Sequence, residues 1–372
     1  MQLLNSPPSQ SLVSATESLL ATLQDITDNI EIENFSIHHP HYKPLEPPAE
    51  AIERFQQMSE EVQHKYLSLQ LRNFLYGIYY NGSLRTTLAP EAVTQDLPLD
   101  LENNTFLGLD LKFYERLHES NRGNGSFDPG WSLVKEESDG SLMVTKGGLK
   151  LHIEREKHLQ SAEKSANVGD KVAIRLPKNR VQNGFYVAVG NAESNHATSS
   201  ANAQVLVRVY FNLTPDGAVV VMDRLTQQLN EKAIPFSFKV LYHPDYYERY
   251  DSGVLYFDQS EYEAISQVLQ TIYAENQSYF RPEIPLFTKQ LVPGLGLAEE
   301  PDQKFALQES FGMNRCQIVA NGLLAAWHQG DNSPESRMKL ILEQFSSLGI
   351  DLERVHLNAK SKDIYKLWNL DS

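Results

Sequence analysis

Leu19, Leu20, Leu23 and Ile26 recur at the three-to-four-residue spacing of a helix face. The polar, proline-rich stretch HHPHYKPLEPPAE (residues 38–50) interrupts that pattern and predicts a connector. From Ala51 to Tyr80, the positions Ile52, Phe55, Val62, Tyr66, Leu69 and Leu75 predict further helices. These close on LYGIYYNGSLR, where Asn81-Gly82 marks a turn and the aromatic stripe reads as core. NRGNGSFDPG (121–130) is a turn-rich break, and SLMVTKGGLKLHIERE and DKVAIRLP beyond it alternate as short strands. GNAESNHATSSANAQ, from Gly190, is small and polar and reads as a mobile loop. VLVRVYFNL (205–213) then alternates as a strand. Thr214-Pro215 offers an N-cap and a first-turn proline for a helix to about Ala233, with Met222, Leu225 and Leu229 on one side. The Val219–Val221 triplet argues for a later start of that helix. PFSFKVLY adds a strand and completes a strand-helix-strand unit. Two helices end the pattern, one from Asn314 to about His328 and one capped by Ser333 and stopped at Gly349. The expected fold class is α+β, a mixed or antiparallel sheet with flanking helices, preceded by a helical N-terminal region. Three regions are expected: a mainly helical one over 1–120, a β-rich one over 121–190 and an α+β one over 200–372.

Composition narrows the function. The chain has 372 residues, 41% of them hydrophobic, enough for substantial cores. A net charge of -15 repels nucleic acid and anionic membranes, so an anion site must be a local basic pocket. Cys316 is the only cysteine, which excludes an internal disulfide and cysteine-based metal sites and suits the cytoplasm. The first thirty residues lack a basic start followed by an apolar core, and no apolar run reaches the roughly 18 residues that cross a bilayer. The expectation is a cytoplasmic protein without membrane insertion. A secretion route that uses no hydrophobic signal escapes this test.

Several motifs carry little. KVAIR (171–175) looks like a kinase strand, but the Gly-rich loop, His-Arg-Asp and Asp-Phe-Gly of kinases are missing. GLGLAEEP (294–301) lacks the glycine spacing of a dinucleotide fold and reads as a loop. His38, His39 and His41 lie in the proline-rich stretch with no carboxylate at ligand spacing, so no metal is expected there. Lys150 and His152 share one face of a strand and read as exposed, with an acid/base pair as the alternative. The cations of the C-terminal half stand out, because Arg208, Lys239, Arg249 and Arg315 each sit among apolar or aromatic residues. A lone ammonium in such a run loses several kcal/mol of solvation unless paired or neutral. Arginines on rigid elements can grip phosphate, and cations crowding a lysine disfavour its charged form, which makes Lys239 a candidate base. The alternative is that each arginine pairs separately with one of the 48 acidic residues.

LYGIYYNGSLR, FYVAVGNA, RVYFNLTPDGA, IPFSFKVLYHPDYYERYDSGVLYF and SFGMNRC together resemble the HopA effector family, in its order, over about residues 70 to 330. Relatives of that family serve as the lyase component of class V lanthipeptide and related systems, where a kinase phosphorylates Ser or Thr and the lyase eliminates phosphate. A more distant similarity is to the OspF/SpvC phosphothreonine lyases. By that resemblance Lys239 corresponds to the base that abstracts the α-proton, Arg208, Arg249 and Arg315 to the phosphate clamp, and Tyr256 to an orienting group. Tyr210 stands where the histidine proton donor is expected, with His243 and then His152 as alternative donors. The resemblance implies elimination of phosphate from phosphothreonine or phosphoserine without a cofactor or metal. It also implies a phosphorylated peptide or protein as substrate and a separate kinase or a secretion chaperone as partner. A phosphatase is disfavoured, since Cys316 lies outside any Cys-x5-Arg loop. The competing expectation is a non-catalytic secreted effector or phosphopeptide-binding module that keeps the clamp.

Overall fold

A computed structural model describes residues 10–33, 35–46, 49–92, 105–106, 109–192 and 205–368. Helix α1 (Gln10–Asn29) leads into a small antiparallel sheet of β1 (Glu31–Glu33), β2 (Ser36–His39) and β3 (Tyr42–Leu45). Helices α2 (Ala49–Gln56) and α3 (Glu60–Leu75) follow, and α3 runs on into one π-helical turn, Tyr76–Tyr80. A short hairpin of β4 (Thr105–Phe106) and β5 (Leu109–Asp110) precedes α4 (Leu111–Ser120). Next, β6 (Phe127–Glu136), β7 (Ser141–Lys146), β8 (Leu149–Glu154) and β9 (Lys171–Arg175), with the one-turn α5 (Arg155–His158), form a sheet ordered β8-β7-β6-β9. That sheet has its own small core around Trp131, Leu142 and Ile174.

The remaining strands build the sheet that carries the candidate site. They are β10 (Asn179–Gln182), β11 (Phe185–Val189), β12 (Leu206–Phe211), β13 (Ser237–Leu241), β14 (Gly253–Asp258), β15 (Lys289–Val292) and β16 (Leu295–Glu299). Their order is β10-β11-β13-β14-β12-β16-β15, and every pairing is antiparallel. The helices α6 (Pro215–Glu231), α7 (Tyr262–Asn276), α8 (Phe311–Gln329) and α9 (Pro334–Ser347) complete the chain's regular elements.

Side-chain alternation assigns the two faces of this sheet. Val207, Val209 and Phe211 of β12, Phe238 and Val240 of β13, and Leu255 and Phe257 of β14 share one core with Val221 and Leu225 of α6 and Ile265 and Leu269 of α7. Each such fully buried side chain contributes about 1.5–3 kcal/mol relative to exposure. The opposite face joins Tyr210, Val254 and Ala298 to Leu67, Leu71 and Phe74 of α3 and to Phe311, Ile318 and Val319 of α8. The fold is therefore α+β, with an antiparallel sheet between two helical layers.

Where the structure departs from the sequence reading, tertiary contacts explain it. Residues 38–45 form strands rather than an irregular connector, because His39 is buried and its Nε2 shares a 2.9 Å hydrogen bond with the Tyr79 hydroxyl. Helix α6 starts at Pro215 despite the valine triplet: Thr214 caps it, accepting from the Gly217 N–H at 3.1 Å, and Val221 is fully buried. GLGLAEEP is largely strand β16, where glycine is needed because a Cβ on Gly296 would lie 2.5 Å from Thr288 Oγ1. Residues 179–189 join the main sheet instead of the β-rich region before it. The polar stretch expected to be a mobile loop lies, over 193–204, outside the described residues. Helices α1 and α3 share the core of α8 and α9, and Arg337 of α9 donates to Thr27 O near the end of α1 at 2.9 Å and to Ile30 O just after it at 2.7 Å. Among the described residues, no helix is long and apolar enough to cross a membrane.

Helices α8 and α9 approach so closely that a Cβ on Gly322 would meet the Ile341 Cα at 2.6 Å. Gly322→Ala is therefore expected to cost about 1–3 kcal/mol in urea unfolding, the usual range for overpacking. A cost below about 0.5 kcal/mol, the range of neutral surface changes, would show that the two helices separate freely.

Candidate functional site

The candidate site forms on the α3/α8 side of the main sheet, where those helices leave β11, β13 and part of β14 half-covered. Lys239 lies mid-strand in β13, opposite Val187 of β11 and Val254 of β14. Its Nζ sits 4.5 Å from the centre of the Phe185 ring and 5.4 Å from that of Tyr256. Such contacts stabilise a cation by about 0.5–2 kcal/mol without a counter-ion. Arg208 of β12 pairs in register with Tyr256, and its guanidinium lies 5.0 Å above that ring. Arg249, just before β14, places its guanidinium 5.7 Å from the Phe185 ring. Two rings thus gather Lys239, Arg208 and Arg249 into one group. No hydrogen bond among the described residues engages the Tyr256 hydroxyl.

Both arginines of the group carry a carboxylate. Arg249 donates Nε to Asp251 Oδ1 at 2.5 Å and Nη2 to Oδ2 at 2.9 Å. Asp251 is buried and also accepts from Asn81 Nδ2 at 3.2 Å and the Tyr76 hydroxyl at 3.3 Å. Burial alone would raise its carboxyl pKa, but Arg249, the Asn81 amide and the nearby Lys239 charge hold it below the usual carboxylate range. Asn81 and Tyr76 belong to the π-helical turn and the bend that follows it, and such turns recur where side chains must be re-aimed. Arg85 from the same stretch donates to Ile78 O at 2.8 Å and to the Tyr250 hydroxyl at 2.7 Å. LYGIYYNGSLR is therefore the brace of the Arg249 loop. Arg208 forms an ion pair with Glu300, which also takes a contact of 2.5 Å from Lys304. The Arg208 Nε–H is buried without a hydrogen-bond partner among the described residues. A guanidinium has five N–H donors, so neither ion pair exhausts its arginine. Around the site four cations, Lys239, Arg208, Arg249 and Lys304, face two carboxylates, Asp251 and Glu300, a basic island in an acidic chain.

The other expected residues divide. Tyr210 lies in the same row as Lys239, two strands away across Val254. It is buried, its hydroxyl has no hydrogen-bond partner among the described residues, and the ring meets Tyr80 edge-on with centroids 6.3 Å apart. Burial pushes its phenol above the ordinary range, outweighing the opposing pull of Arg208. Such a group donates hydrogen bonds but is a poor acid. His243 contacts its own turn: its Nδ1 lies 3.4 Å from the Asp245 N–H, and its ring is 4.8 Å from that of Tyr246. Arg315 is apart from the group, donating to Val355 O and Leu357 O at 2.9 Å each and to Asn314 Oδ1 at 2.6 Å. Burial lowers its pKa to about 10. It anchors the C-terminal segment and leaves no donating nitrogen unengaged, which removes it from the expected clamp. His152 is exposed on β8, in the separate four-stranded sheet. Both ring nitrogens of His39 are engaged, by the Tyr79 hydroxyl and by the His41 N–H at 3.1 Å. Among the described residues, no group of three or more His, Cys, Asp or Glu side chains could hold a metal ion. Phe185, Asp251, Glu300 and Lys304 were not singled out by the sequence; for Asp251 the signal was its place two residues after Arg249 in YERYDSG.

Residues 176–357 match the model of the HopA1 effector protein family. That region holds the seven-stranded sheet and the core of the candidate site. Among solved structures, the chain is similar to the effector protein from Pseudomonas syringae pv. tomato strain DC3000, at 18% identity and a TM-score of 0.38, over 66% of this chain and 80% of that one. It is also similar to the effector protein from Pseudomonas syringae pv. syringae strain 61, at 14% identity and a TM-score of 0.43, over 93% of this chain and 99% of that one. No curated protein is matched.

Proposed function

We propose that the protein is a secreted effector-type lyase that eliminates phosphate from phosphothreonine or phosphoserine in a peptide or protein. The observation that carries this reading is the gathering of Lys239, Arg208 and Arg249 around Phe185 and Tyr256 on one half-covered sheet face, where Lys239 makes no ion pair among the described residues. In the proposed step the Lys239 amine takes the α-proton. The electron pair of that C–H bond becomes the Cα–Cβ double bond, and the Cβ–O bond breaks to release phosphate. Arg208 and Arg249 stabilise the charge gathering on the departing oxygens. With that charge met by two guanidinium groups, the departing phosphate needs no proton donor.

Tyr210 accordingly transfers no proton in this scheme. Tyr210→Phe is expected to slow turnover by less than about tenfold, below the effect of removing a general acid. A drop of about a hundredfold or more would make the phenol the acid.

Mass spectrometry of a phosphothreonine peptide incubated with the protein tests the reading: a product lighter by one phosphoric acid is expected. A second reading is binding without turnover, favoured by the carboxylates already held by both arginines and by the phenol in the donor's place. It predicts an unchanged mass together with an affinity that Arg249→Ala removes.

A further inference from the structure

The two carboxylates of the site are held in different ways. Asp251 is buried, meets Arg249 at two points and accepts from two neutral donors as well, which makes it a fixed part of the framework. Glu300 has its main chain pinned, the N–H donating to Leu206 O at 2.7 Å and the carbonyl accepting from Asn358 Nδ2 at 2.9 Å. Its carboxylate is held by cations alone, Oε2 by Arg208 and Oε1 by Lys304. Among the described residues no neutral donor reaches either oxygen. An anion held between a guanidinium and an ammonium, with a further buried guanidinium N–H left unpartnered, occupies the setting a phosphate would take.

We propose that Arg208 and Lys304 form the subsite for the phosphate of a phosphomonoester, and that the Glu300 carboxylate is its built-in occupant, which the ligand displaces. This rests on the reading of the same sheet face as a phosphoresidue site. Lys304 becomes a phosphate-binding residue, and Glu300 sets a threshold that only a more highly charged anion passes. A phosphomonoester carries up to two negative charges and three acceptor oxygens against one charge and two oxygens for the carboxylate. Carboxylate-bearing peptides are rejected for the same reason.

Calorimetric titration of the full chain with inorganic phosphate and with a phosphothreonine peptide tests this. Glu300→Gln is expected to tighten inorganic phosphate binding by about tenfold or more, the effect of removing a competing charge. Lys304→Met is expected to weaken it. If Glu300→Gln does not fold, Glu300→Asp, whose carboxylate is one methylene shorter, still tightens phosphate severalfold. Wild-type binding that Glu300→Gln leaves unchanged or weakens would overturn the displacement while leaving the phosphate site standing. No binding of either probe by the wild type or Glu300→Gln would remove the phosphate site itself.

Discussion

Lys239→Met is expected to lower phosphate elimination by about 10²–10⁴-fold, the range for loss of a positioned general base, while a phosphothreonine peptide still binds. Methionine keeps an apolar stem of similar length against Phe185 and Tyr256, so the sheet face stays packed. The arginines with which the phosphate would interact are placed by other contacts, Arg249 by Asp251 and Arg208 by the Tyr256 ring. Rate and affinity therefore separate in this variant. Single-turnover mass spectrometry reads the first and calorimetry the second. Turnover within tenfold of the wild type would exclude Lys239 as the base. A parallel loss of peptide affinity would make it a binding group instead.

The largest stability effect is expected at Asp251. Asp251→Asn removes the charge that faces a buried guanidinium, and breaking a buried pair from one side costs about 3–5 kcal/mol. Urea denaturation at pH 7 measures this directly, and a cost under about 1 kcal/mol would mean that water reaches Arg249 freely. The pH dependence has a definite sign. The folded-state pKa of Asp251 lies below its unfolded value, so its contribution is fully present above the unfolded pKa near 3.8 and disappears as pH falls through the folded value. The gap between wild type and Asp251→Asn should accordingly be constant from neutral pH down to about 5 and shrink below about 4.

How much of this was legible follows from what each element rests on. Lys239 and its face were readable, because Phe238 and Val240 alternate with it and go to the core. The caps at Thr214 and Ser333 were readable for the same local reason. The insertion of β14 between β12 and β13 was not, since strand order is set by pairing between distant segments. That insertion brings Tyr256 between Arg208 and Lys239. The carbonyl contacts of Arg315 were not legible, because an arginine among apolar residues looks alike in sequence whether it awaits an anion or caps carbonyls. Glu300 and Lys304 escaped notice because they lie after a strand that the glycines of GLGLAEEP concealed. The brace of Asn81 and Tyr76 on Asp251 spans some 170 residues of sequence, beyond any local pattern.

Central to the account is a phosphate held beside the Lys239 side chain by two guanidinium groups. A crystal structure of Lys239→Ala with an uncleaved phosphothreonine peptide tests it most directly. The phosphate is expected in contact with Arg208 and Arg249, with the threonine α-carbon over the vacated position on β13. A phosphate bound away from both arginines, with their carboxylate pairs intact, would contradict it.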